Sequence, residues 1–141
     1  HDRPSLATSY LNLCILEQSL REYELAVSLY QQALDLYIEF NDRYGQASTY
    51  SQLGLLSEEV EEFEPAKAYH LQDLQISAEF NDQRRIAFTT DNLARLYETT
   101  QDNDLVQQVA TVLNESIEAV QQRFAALSAA SADEPDPPAE A

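Results

Sequence analysis

A chain of 141 residues is long enough for one continuous core and too short to suggest two domains. Hydrophobic residues make up 44% and glycine only 2 positions, which argues against a β fold built on tight turns and for helices rich in Leu, Ala, Glu and Gln. With 8 basic and 25 acidic residues the formal charge is −17, so nucleic acid and anionic membrane surfaces are poor direct partners, while basic peptides are permitted.

In chain order, residues 1–6 form a short N-terminal segment, and the pattern of apolar residues predicts helices near 4–20, 23–40, 43–60, 64–80, 83–100, 103–113 and 115–129. Tyr50, Leu53, Gly54 and Leu56 recur at three- and four-residue spacing, as do Phe63, Ala66, His70 and Leu74. Pro65 sits where a first helical turn tolerates a missing N–H. Asn41-Asp42 and Asn81-Asp82 read as stop and restart signals, the Asn adopting the left-handed conformation and the Asp capping the next helix. Beyond residue 128 the sequence turns acidic and Pro-rich, so 129–141 is expected to be a disordered tail.

These helices fall into units of 40 residues, 7–46, 47–86 and 87–126, that align without gaps. Tyr10-x-x-Leu13 is matched by Tyr50-x-x-Leu53, Ala26 by Ala66 and Leu34 by Leu74, and Glu39-Phe40-Asn41-Asp42 recurs as Glu79-Phe80-Asn81-Asp82. The third unit is degenerate after its first helix: Asn103, Val106 and Ala110 replace the aromatic, the small Ala and the Tyr or His. It is therefore counted as 87–113, followed by a capping helix over 114–128 in which Ile117, Val120, Phe124 and Leu127 lie at helical spacing.

Tyr10, Leu13-Cys14, Ala26, Tyr30 and Ala33 in unit one, with Tyr50, Leu53-Gly54, Ala66 and His70 in unit two, resemble the tetratricopeptide repeat. The repeat length of 40, against the usual ~34, is similar to the long repeats of kinesin light chains, spindle-orientation adaptors and bacterial signalling proteins. The resemblance implies an all-α, right-handed superhelical solenoid of about three helical hairpins. It also implies that Cys14, Gly54 and Ala94 let paired helices approach closely, and that the first helix of each hairpin lines a concave groove. There the column Asn12, Gln52 and Asn92 would offer amides to the backbone of an extended peptide, each amide being both donor and acceptor. The bland reading of that column is a solvated helical face. Neighbouring groove positions are Leu11, Ser51 and Asp91, then Ile15, Leu55 and Arg95, then Gln18, Glu58 and Glu98. The Lys/Arg clamp that some of these proteins use for C-terminal carboxylates is missing, so a peptide with apolar anchors and positive charge fits better.

No constellation points to catalysis, a cofactor or a metal. His70 and Asp73 lie one turn apart, but two ligands without a third make no site, and His70 occupies a packing position. The run Glu58, Glu59, Glu61, Glu62, Glu64 lacks the Gly and ligand spacing of a calcium loop and reads as a solvated turn. The lone Cys14 excludes an intramolecular disulfide and has no sequence neighbour that would activate it. There is no run of about 18 apolar residues to span a membrane and no signal-peptide region, so a cytoplasmic location is expected.

Two functions follow. One is a non-enzymatic scaffold that binds a peptide or partner protein in the groove. The other is a C-terminal regulatory array of a larger signalling protein, such as a switch-type ATPase, docking on its own upstream domains. The absence of Met, the degenerate third unit and the acidic tail lead us to expect an excerpt from the C-terminal end of a longer array. Self-association through a truncated N-terminal face is a third expectation.

Overall fold

A computed structural model describes residues 22–133. Among them the chain forms six helices and no strand: α1 Tyr23–Glu39, α2 Arg43–Glu59, α3 Phe63–Glu79, α4 Gln83–Thr100, α5 Asn103–Leu113 and α6 Ile117–Asp133. The helix expected near 4–20, with Cys14, lies outside the described residues.

Each boundary has a local cause. Asn41, Asn81 and Asn114 take positive φ, and the two N–H groups that follow each helix end reach back to its last carbonyls. Asp42 N–H, for example, donates to Tyr37 C=O at 2.8 Å while Asn41 N–H donates to Ile38 C=O at 3.1 Å. This double bond pattern closes a helix on a left-handed residue. Asp42 and Asp82 then accept from Gly45 N–H at 2.9 Å and Arg85 N–H at 3.2 Å, satisfying otherwise orphaned donors of α2 and α4. Both Asn-Asp pairs thus act as the sequence indicated. Asp102 does the same for α5 by accepting from Asp104 N–H.

The helices pack as an α-solenoid. The hairpin α2–α3 is the most closely packed pair, and its open end is fastened by Arg43, which donates to both carboxylate oxygens of Glu79 at 2.8 Å. Beside that ion pair Tyr44 stacks on Phe80 with ring centroids 4.7 Å apart. Close approach of α2 and α3 depends on Gly54, where a Cβ would lie 2.5 Å from His70 Cε1. Ala26, Ala47, Ala66 and Ala94 are buried at the other tight contacts. One core cluster joins α3 to α6 through Leu74, Leu93, Leu105, Val109, Val120 and Phe124. A second joins α1 to α2 through Ala26, Tyr30, Leu53 and Leu56.

Unit three departs from unit two as its sequence does. Its second helix, α5, has 11 residues where α3 has 17, and it packs more on α3 than on its own partner α4. Val106 and Ala110 are both buried there. With a bulkier side chain where unit two has Ala66, and a small one where it has His70, the hairpin loses the close fit that Gly54 and His70 give. The last helix covers the end: α6 lies against α4 and α5, Tyr97 meets Phe124 with centroids 5.7 Å apart, and Ser128 Oγ donates to Glu98. It runs through Asp133 rather than ending near 129, which corrects the expected start of the tail. Ala129, Ala130 and Ala132 favour the helix, and no Gly or Pro interrupts it before that point. The rest of the expected tail, 134–141, lies outside the described residues.

Candidate functional site

The outward faces of α2 and α4 are the candidate binding surface. On α2 the residues that reach solvent at four- and three-residue spacing are Tyr44, Ser48, Gln52, Leu55 and Glu59. On α4 they are Arg84, Phe88, Asp91, Arg95 and Glu98. The two stripes coincide in the repeat register at Tyr44 and Arg84, Ser48 and Phe88, and Leu55 and Arg95, and differ by one residue where α2 has Gln52 and Glu59 and α4 has Asp91 and Glu98.

Burial sorts the residues expected in the groove. Gln52 and Leu55 are half-buried and Arg95 is exposed, so all three reach the surface. Ser51 and Asn92 are only 5% and 3% exposed and lie beneath it. Asn92 Oδ1 accepts from Arg95 Nη2 at 3.0 Å, and its Nδ2 is buried without a partner among the described residues. Asn12, Leu11 and Ile15, along with the N-terminal face expected to self-associate, lie outside the described residues. Within these limits the amide column reaches the surface at Gln52 and is buried at Asn92.

Beneath the stripes lies a polar relay. Glu58 Oε2 accepts from His70 Nε2 at 3.1 Å and from Arg95 Nη2 at 3.2 Å. Burial pushes the Glu58 carboxyl up, but the hydrogen bond from His70 and the charge of Arg95 outweigh it and hold the group below its ordinary value. Glu58 is thus set apart from the solvated turn to which its sequence run assigns it, because it faces α3 and α4 rather than water. Its pairing also engages Arg95, whose side chain stays about half exposed. Arg84, at the far end of the α4 stripe, forms no ion pair among the described residues.

His70 and Asp73 do not work together despite their spacing. His70 is fully buried against Gly54 and bonds to α2 through Glu58. Asp73 is fully buried facing α4, where Arg85 Nη2 at 2.9 Å and Thr89 Oγ1 at 3.0 Å donate to it, with Ser77 Oγ at 3.3 Å from its own helix. All its bonds are internal, which makes it a structural tie. Among the described residues no group of three or more His, Cys, Asp or Glu side chains is placed to hold a metal ion, and no helix is long and apolar enough to cross a membrane.

Phe88, 52% exposed on the outward stripe of α4 between Arg84 and Asp91, is not among the residues expected from the sequence. Its signal was present in the repeat alignment: units one and two carry Thr8 and Ser48 in the same register, and only unit three places an aromatic there.

The family model described as tetratricopeptide repeat matches residues 5–79. The match ends where α3 ends, ahead of the unit whose second helix abandons the pattern. No curated protein and no solved structure matches the chain.

Proposed function

Because the chain belongs to the tetratricopeptide repeat family, whose members typically mediate protein–protein interaction, we propose that it is a non-catalytic scaffold holding a peptide or partner-protein segment on the outward faces of α2 and α4. The observation that carries the reading is the composition of those two stripes. Leu55 and Phe88 offer apolar contact, and Gln52 offers both a donor and an acceptor to a bound backbone. Glu59, Asp91 and Glu98 outnumber the unpaired Arg84 around them, while Arg95 is already held by Glu58 among the described residues. A ligand with an apolar anchor and a basic residue matches this surface in both shape of contact and sign of charge.

The relay beneath supports the same reading. Glu58, His70, Arg95 and Asn92 fix the spacing of α2 and α4, so the two stripes are held ready and little ordering is left to binding. Hydrogen exchange of the chain with and without a partner captured by it tests the proposal. Protection concentrated on α2 and α4 is expected. Protection confined to α1, α3 or α5 would place binding elsewhere and overturn it.

A further inference from the structure

A second surface lies on the opposite side of the array, between the second helices α3 and α5. There an open trough of about 480 Å³ runs along Leu71 and Val112, with Gln72 and Gln75 on one wall and Gln107 and Gln108 on the other. It continues past Ala78 and Thr111 to the end of α3. The shorter α5 stops at Leu113, while α3 runs on to Glu79, whose other side is held by Arg43 of α2. Leu71 and Val112 are half-buried and form an apolar floor. The four glutamine side chains form no hydrogen bond among the described residues, so their donors and acceptors are free.

We infer that this trough is a docking site for an extended, basic segment of a partner protein, independent of the groove on α2 and α4. The walls suit an extended chain. Groups four residues apart on a helix, such as Asp104 and Gln108, recur at about 6 Å, close to the roughly 6.7 Å between alternate residues of an extended strand. Glutamine amides on both walls can then pair with backbone N–H and C=O groups without reading side chains. The floor takes the side chains that point inward, and these are apolar.

Charge selects the occupant. No Lys or Arg lines the trough. Its carboxylates are Asp104, exposed at the start of α5, and Glu79, already paired with Arg43. A second copy of this chain, also carrying −17, is repelled, and the acidic sequence 134–141 has the wrong sign. A basic residue placed over Asp104, with apolar residues over Leu71 and Val112, fits.

The test uses a synthetic peptide alternating Lys and Val, and its counterpart with Glu in place of Lys, titrated into the isotope-labelled chain while the side-chain amide resonances are followed by NMR. The four trough glutamines are expected to shift with the Lys–Val peptide and not with the Glu–Val peptide. Asp104→Asn is expected to weaken the Lys–Val binding by about threefold, the scale of one exposed ion pair. A Leu55→Ala/Phe88→Ala variant is expected to leave the shifts unchanged, so failure of the groove reading and failure of this one are told apart. Shifts at Gln52 alone, no shifts at all, or equal shifts with both peptides would overturn the inference. Glutamine shifts that depend on protein concentration without peptide would assign the trough to a second copy, and would overturn it too.

Discussion

Replacing Gly54 by Ala sets two effects of comparable size against each other. A helical Gly→Ala change by itself gains about 1 kcal/mol from propensity. The added Cβ, however, would stand 2.5 Å from His70 Cε1, 2.7 Å from Nδ1 and 2.8 Å from Nε2, where comfortable carbon contacts are about 3.5–4.0 Å. The ring would have to retreat by about 1 Å. It is fully buried and its Nε2 is held by Glu58 at 3.1 Å, so the retreat strains the α2–α3 hairpin rather than a free side chain. Overpacking of this kind costs about 1–3 kcal/mol, leaving a net loss of about 0–2 kcal/mol. Urea unfolding followed by far-UV circular dichroism measures it, with the midpoint lowered and the slope unchanged. The sharper assay repeats the substitution in a His70→Ala background, where the clash is gone and Gly54→Ala should stabilise by about 1 kcal/mol. The coupling between the two positions is therefore expected at about 1–3 kcal/mol. An equal effect of Gly54→Ala in both backgrounds would show that His70 does not set the helix spacing.

Three other outcomes follow from the same structure. Glu61 holds a left-handed φ of 60° at a position where the other hairpin boundaries place Asn41 and Asn81, so Glu61→Gly should raise stability by about 1 kcal/mol in urea titration. Removing Asp73 by Asp73→Ala leaves Thr89 and Ser77 buried without an acceptor while Arg85 can turn toward water, and should cost about 2–4 kcal/mol on the same measurement. Glu58 carries a depressed carboxyl pKa, so its pairing adds stability that is present above the unfolded value of 4.5 and is lost as pH falls through the lower folded value. Unfolding midpoints measured on acidification should therefore fall more steeply in the wild type than in Glu58→Gln, which starts lower and has no such carboxyl to lose.

The parts of this fold that were legible in the sequence are those set by local chemistry. Asn41-Asp42 and Asn81-Asp82 fix helix ends through conformations and bonds made within a few residues, so letters suffice. The repeat places Ala26, Ala66 and Gly54 at tight contacts because all copies of a hairpin share one packing problem. The candidate surface was less legible because it depends on which neighbouring side chains cover each position. Asn92 is buried under Arg95 although its repeat counterpart Gln52 reaches the surface. Glu58 could not be told from Glu59, Glu61, Glu62 and Glu64 by composition, since its role comes from facing His70 twelve residues on and Arg95 thirty-seven on. The Pro-rich ending predicts a tail from residue 129, whereas the alanines carry the helix on to Asp133.

The proposal that this chain is a binding scaffold using α2 and α4 is tested most directly by calorimetric titration of a captured partner segment into the wild type and into Gln52→Ala/Leu55→Ala/Phe88→Ala. These side chains project outward, so helicity should be retained. Loss of contacts at the centre of an interface, at about 1 kcal/mol for each of the three positions, predicts a Kd weaker by about a hundredfold. An unchanged Kd in a variant with wild-type circular dichroism would contradict the account.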